Sequence, residues 1–209
     1  MTGKLTDSRT KMILAAEALF ARGGIDGVSL RQIAARAGQK NHHAVQSHFN
    51  SREGLVRRFS TTGRSRWIGT SSTCSKPPKR DGLLENPRMI ADTIFVPQLE
   101  VISELGDFSY ANFLCQYLLR DSDAEFGRFG GNLPEGLTRV LGLLRSKLDF
   151  LSDGAAQRRL ITACFMFFSL LAVYTRDLES GRANEAFPDA LEDTMRQIVA
   201  ALFLPIFAD

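Results

Sequence analysis

Between Ser29 and Arg52 the chain gathers side chains that hydrogen-bond or carry positive charge: Ser29, Lys40, Asn41, His42, His43, Gln46, His48 and Arg52. Asn and Gln offer a donor and an acceptor side by side, and a neutral imidazole offers one of each. Such a set can read a patterned polar edge, while Lys40 and Arg52 suit an anionic partner. All three histidines of the chain lie here. Their 42, 43, 48 spacing lacks the i, i+4 pair that grips a metal from one helix face, so no metal site is predicted. The chain has no GxSxG, HExxH, phosphate-loop or dinucleotide-binding glycine pattern. No catalytic residue and no cofactor is therefore assigned.

The charge distribution supports an anionic partner. Of 209 residues, the first 66 hold twelve basic and four acidic side chains, a surplus of +8, and the remainder carries −5. Sixteen of the nineteen aromatics fall in that acidic remainder. A small basic unit joined to a larger aromatic-rich one suggests a polyanion reader coupled to a second function. Three well-separated cysteines do not make a disulfide framework. Met1 to Arg9 is polar, with no apolar run of a signal peptide. The longest nearly apolar stretch, Leu160 to Thr175, is 16 residues against the roughly 20 a membrane span needs. A cytoplasmic protein without a membrane partner is expected.

Short helices must position the polar set. Ile13, Ala16 and Phe20 share one helical face within Lys11 to Arg22, and Gly23-Gly24 stops that helix. Ser29 and Gln32 form a capping box opening a helix from Leu30 to Ala37, which ends at Gly38. Gln39-Lys40 make a turn, and Asn41 is placed to cap a third helix through His48, with Val45 and Phe49 inward. Asn50 and Glu53 repeat the capping pattern before a fourth helix carrying Leu55, Val56, Phe59 and Trp67. Two short helices joined by a glycine-containing turn behind a supporting helix make a helix-turn-helix. Its second helix would present His42, His43 and Gln46 to base edges in a major groove.

Residues 11–59 resemble the DNA-binding domain of TetR-family transcriptional regulators. The resemblance is carried by ILAAEALFARGGIDGVSLRQIAARAG and, after the turn, by HFNSREGLV. It implies phosphate roles for His48 and Arg52 and a core role for Phe49. Two departures stand out. Gly38 to Phe49 is one residue longer than the commonest family pattern, and Gln46-Ser47 replace the usual aromatic positions.

The remainder reads as helices, with no strand pattern. Thr70 to Arg80 is a Ser/Thr/Pro-rich loop and Gly127 to Pro134 a turn. Apolar spacing predicts helices over 87–104 (kinked at Pro97), 108–120, 135–151, 154–178 and 190–204. The expected fold is all-α: a three-helix helix-turn-helix domain over 1–55, helix 4 connecting from about 51 to 70, and a helical domain over 56–209. The resemblance implies that this second domain binds a ligand and dimerises. Its last two helices, about 155–180 and 188–204, would pair with their copies, and the expected interface is Phe165, Phe168, Leu171, Met195, Val199 and Leu202. Met89, Phe95, Phe113, Tyr117, Phe150 and Tyr174 are the candidate lining of an effector pocket for an apolar or aromatic small molecule. The resemblance makes the expected function a repressor that binds a double-stranded, pseudo-palindromic operator as a homodimer. The alternatives are a constitutive DNA-binding protein without an effector, or an α-helical enzyme or carrier whose basic N-terminus is incidental.

The charge surplus generates a first prediction. Each phosphate neutralised contributes roughly −0.9 to the slope of log K against log salt, so DNA binding should weaken steeply as salt rises. Titrations at several salt concentrations measure that slope, and a flat profile would remove phosphate contact as the source of affinity.

Overall fold

The computed structural model describes residues 8–41, 43–56, 86–99, 109–120 and 135–205. His42, Phe59, Trp67, the 70–80 loop and the 127–134 turn lie outside the described residues. Helix α1, Ser8–Gly23, buries Met12, Ile13, Ala16 and Phe20, as its apolar spacing predicts. Helix α2, Leu30–Arg36, opens on the predicted capping box. The Gln32 amide donates to Ser29 Oγ at 3.2 Å, and the Ser29 amide donates to Gln32 Oε1 at 2.7 Å. It closes with Gly38 in the left-handed conformation, the Gly38 amide on Ala35 O and the Gln39 amide on Ala34 O. Those two bonds are the Schellman pattern that satisfies a helix's last carbonyls.

Helix α3 is Ala44–Phe49, and α4 begins at 52–56. Helix α5, Pro87–Phe95, starts with a proline whose missing amide costs nothing in a first turn. Pro97 interrupts the ladder just beyond it, and the buried Gln98 side chain donates to the Ile94 carbonyl at 3.3 Å. The remaining helices are α6, Ser109–Arg120; α7, Glu135–Lys147; α8, Asp153–Glu179; and α9, Phe187–Phe203. The described residues include no strand, and the fold is all-α.

Helix α8 organises the larger part. It packs on α6 and α9, and its inner face carries Leu160, Ala163, Cys164, Phe167, Phe168 and Leu171. Phe95 of α5 meets Phe167 with ring centroids 5.2 Å apart. From α9, Met195, Ile198 and Leu202 complete the core. This corrects the expected interface. Phe168, Leu171, Met195 and Leu202 are 0% exposed in the subunit's own core and present nothing to a partner. Phe165 and Val199 are half-buried. The helix runs within one residue of the predicted 154–178 at each end, and its 27 residues are long and apolar enough to cross a membrane by length and composition. In this fold one face of it is core.

Ion pairs tie α5 to α9. Arg88 donates Nη1 and Nη2 to the two oxygens of Glu192 at 3.0 and 2.6 Å, and Nε to Asp92 at 2.7 Å. Arg196 adds a second cation on Glu192 at 2.9 Å. The forked hydrogen bonds from Arg88, helped by Arg196, hold the Glu192 carboxyl down at about 2. A lowered folded-state value gives stability that is present above the unfolded-state pKa and lost on acidification. Wild type should therefore be more stable than Glu192→Gln at about pH 5.5, with the gap narrowing toward about pH 3. Urea melts of both proteins at the two pH values read this directly, and a constant gap would contradict it.

Candidate nucleic-acid interface

The six-residue α3 divides into two faces. Ala44, Val45 and Phe49 are buried against the domain core, and Gln46, Ser47 and His48 are exposed. His43 stands at the N-cap with helical angles, and its imidazole caps nothing. His43 and Gln46, three residues apart, share the outward side. Lys40 and Asn41 are exposed in the preceding turn.

Asn41 does not cap α3 as expected. Its Oδ1 accepts from the His43 amide at 2.9 Å and its carbonyl from the Ala44 amide at 3.1 Å, which folds 41–44 into a turn. The helix thus starts at Ala44. Ser29 is exposed, with its hydroxyl engaged in the α2 capping box. His42 lies outside the described residues.

Arg52 is placed by the start of α4. Ser51, rather than Asn50, makes the cap: the Gly54 amide donates to Ser51 Oγ at 3.0 Å. Asn50 instead takes the positive-φ position, 61°, that lets the chain reverse after α3. Gly54 leaves no alternative, since a Cβ there would lie 2.1 Å from the Phe49 carbonyl oxygen. Held this way, Arg52 extends toward Asp26, with Nη1 3.5 Å from the Asp26 carbonyl and 3.9 Å from its carboxylate. Both contacts are long, so the guanidinium is oriented but not consumed. Its Nε is buried without a hydrogen-bond partner. Arg9 lies 5.5 Å from the centre of the Phe49 ring, a cation–π contact that joins the start of α1 to the end of α3.

The same domain exposes further cations: Lys11 and Arg22 on α1, and Arg31 and Arg36 on α2. They entered the sequence reading only as a charge count. The Asp26 contact had no sequence signal, because its partner lies 26 residues away.

Residues 13–59 match the family described as bacterial regulatory proteins, tetR family. The matched stretch is the N-terminal domain, which is similar to the DNA-binding domain of that family. Among solved structures, the crystal structure of the TetR family transcriptional regulator PfmR from Thermus thermophilus is similar over 93% of this chain and 82% of that one. The two are 16% identical, with a TM-score of 0.42. No curated protein matches the chain. Helices α2 and α3 fall within the matched residues and form their helix-turn-helix.

The effector candidates do not converge. Phe113 and Tyr117 stack beside α1, with ring centroids 6.0 Å apart, and Phe95 packs into the core on Phe167. Met89 is half-buried on α5. Phe150 is 47% exposed with the Arg159 guanidinium 5.8 Å from its ring, so it lines no interior pocket; that assignment is corrected. Tyr174 lines an open groove of about 300 Å³ between α8 and α9, with Met166, Leu170 and Val173 on its apolar side.

Arg52 and Asp26 generate opposite expectations for this TetR-type head. Arg52→Ala should weaken all DNA sequences about equally and flatten the salt slope by roughly one phosphate's share. Asp26→Asn, which removes a carboxylate from the same surface, should tighten all sequences. Binding isotherms at two salt concentrations check both; an unchanged affinity and slope in Arg52→Ala would take that residue off the surface.

Proposed function

We propose that this TetR-family regulator is a cytoplasmic repressor that binds a pseudo-palindromic operator as a homodimer. An apolar or aromatic small molecule acting on the C-terminal domain would release it. The observation that carries the reading is the outward face of α3: His43, Gln46 and His48 exposed, with the opposite face buried, in a domain whose α1 and α2 expose Lys11, Arg22, Arg31 and Arg36. Arg and Lys around such a face fix a duplex by its phosphates, and the polar side chains within it discriminate bases. His42 belongs to the same proposed set by its place in the sequence. The reading domain ends near residue 55, and the rest of the chain forms the dimerisation and sensing domain.

Helix α8 supports the dimer. It has no charged residue from Leu160 to Thr175, yet only one face of that stretch is core. Ile161, Phe165, Met166, Leu170 and Ala172 are half-buried, and Val173 is 43% exposed. A second copy covering this uncharged outer face, together with Val199 of α9, accounts for a helix that is apolar nearly all round. TetR-family regulators function as dimers, and a helix-turn-helix monomer reads few base pairs. The constitutive reading draws support from Phe95, Phe113 and Tyr117, whose rings fill core space.

Sequencing DNA selected from random fragments by the purified protein tests the function. Two-fold symmetric sites are expected, and no enrichment would overturn the reading. Met166→Asp and Val173→Asp should give folded monomers at micromolar concentration, because both residues lie on the outer face and a charge buried in an interface costs several kcal/mol. Sedimentation with circular dichroism separates this from unfolding; dimers in both variants would move the interface elsewhere.

A further inference from the structure

We infer that the side-chain amides of Asn112 and Gln116 are positioning residues for DNA reading: they grip the end of α1 and so fix where the C-terminal half carries the helix-turn-helix. The inference rests on the dimeric operator-binding function proposed above.

The last carbonyls of a helix have no partners within it. At the end of α1 the Phe20 carbonyl receives the Gly24 amide at 2.9 Å, and the remaining acceptor capacity is met from α6. Asn112 Nδ2 donates to the Ala21 carbonyl. Gln116 Nε2 donates to the Phe20 carbonyl and to Asn112 Oδ1, each at 3.4 Å. The Gln116 Oε1 accepts from the Ile25 amide at 3.1 Å. One glutamine therefore spans the turn at Gly24, holding a carbonyl before it and an amide after it. The contacts join residues 91 to 96 positions apart in the chain.

Directionality separates these bonds from the packing beside them. Phe20 stacks on Phe113 with centroids 6.2 Å apart, but apolar contact is non-directional and permits sliding. Hydrogen bonds to backbone atoms fix the register of α1 on α6. Because the α1 partners are main-chain atoms, the grip is set by α6 side chains alone. Gly24 fits the same arrangement. Its φ is +77°, and a Cβ there would lie 3.3 Å from Gln116 Oε1. The other side of α6 packs on α8. Helix α6 thus stands between the reading head and the helix whose outer face is the proposed dimer surface.

In a two-fold dimer, this junction sets the separation of the two recognition helices and therefore the preferred half-site spacing. The test uses full-length Asn112→Leu, Gln116→Met and the double variant, which keep side-chain volume and remove the amides. Affinities are measured for the selected operator and for operators with one or two base pairs inserted between half-sites. The double variant should lose about tenfold on the native spacing and lose most of its discrimination against the inserted ones. Hydrogen exchange at the Ile25 amide should accelerate about tenfold in Gln116→Met while amides in α9 keep their protection. Equal weakening on every spacing would reduce the pair to a structural staple and overturn the inference. Unchanged exchange at Ile25 would also overturn it, whether or not DNA binds. Wild-type protein that selects no DNA would remove the operator reading, and the positioning role with it, while the exchange result still reports on the bonds themselves.

Discussion

Helices of six and seven residues do not persist alone in water, because nucleation costs more than so few backbone bonds return. The surface offered by α3 and α2 therefore exists only through burial against α1. Ile33 and Ala34 from α2, Val45 and Phe49 from α3, and Met12, Ala16 and Phe20 from α1 form one apolar cluster. Among the described residues, the polar side chains assigned to DNA sit on the reverse of a residue in that cluster or in a turn beside it. Loss of a core contact here would be felt as lost recognition before it was felt as lost fold, since the outward residues have no framework of their own.

Local rules explain which parts of this head the sequence makes legible. Ser29 and Gln32 formed the predicted box because both members are close in sequence and need only each other. The Asn50-Glu53 pattern looked alike and failed. Asn is among the few residues that tolerate positive φ, and the reversal after α3 claimed Asn50 for that purpose, leaving the cap to Ser51. Asn41 likewise engages the amides of His43 and Ala44 instead of capping α3. In each case two local rules competed for one residue, and tertiary closure decided between them. The contacts of Arg52 with Asp26, and of Gln116 with Ile25, had no local signature at all.

The larger domain shows a different limit. Periodicity placed α6 through α9 with shifts of a few residues at their ends, while α5 stops at Phe95 before Pro97 and residues 100–104 of its expected span lie outside the described residues; the assignment to an all-α fold needed nothing more. It could not say which of two apolar faces of α8 turns inward. Phe165 and Phe168 are three residues apart in a stretch without charge, yet one is half-buried and the other is fully enclosed. Only packing against α5, α6 and α9 separates them. The same ambiguity misplaced Phe150: an aromatic beside a helix end reads as pocket lining, whereas here it lies outside, under Arg159.

Among the described residues, the packed helices follow one route from the reading surface inward: α3 on α2, α2 on α1, α1 on α6, α6 on α8, and α8 on α9. A ligand can shift a regulator only by its differential affinity for two arrangements, so any effector of this chain must bind one placement of these helices better than another. Along most of the route the contacts are apolar and adaptable. At the α1–α6 step they include hydrogen bonds to main-chain atoms, which hold one register and lose strength steeply with misalignment. A small displacement of α6 would therefore be resisted up to the point where those bonds break. Beyond that point α1 is released from its register and the reading head is free to move with it. Any effector-driven change in the placement of α6 therefore has to break these bonds or carry the end of α1 with it.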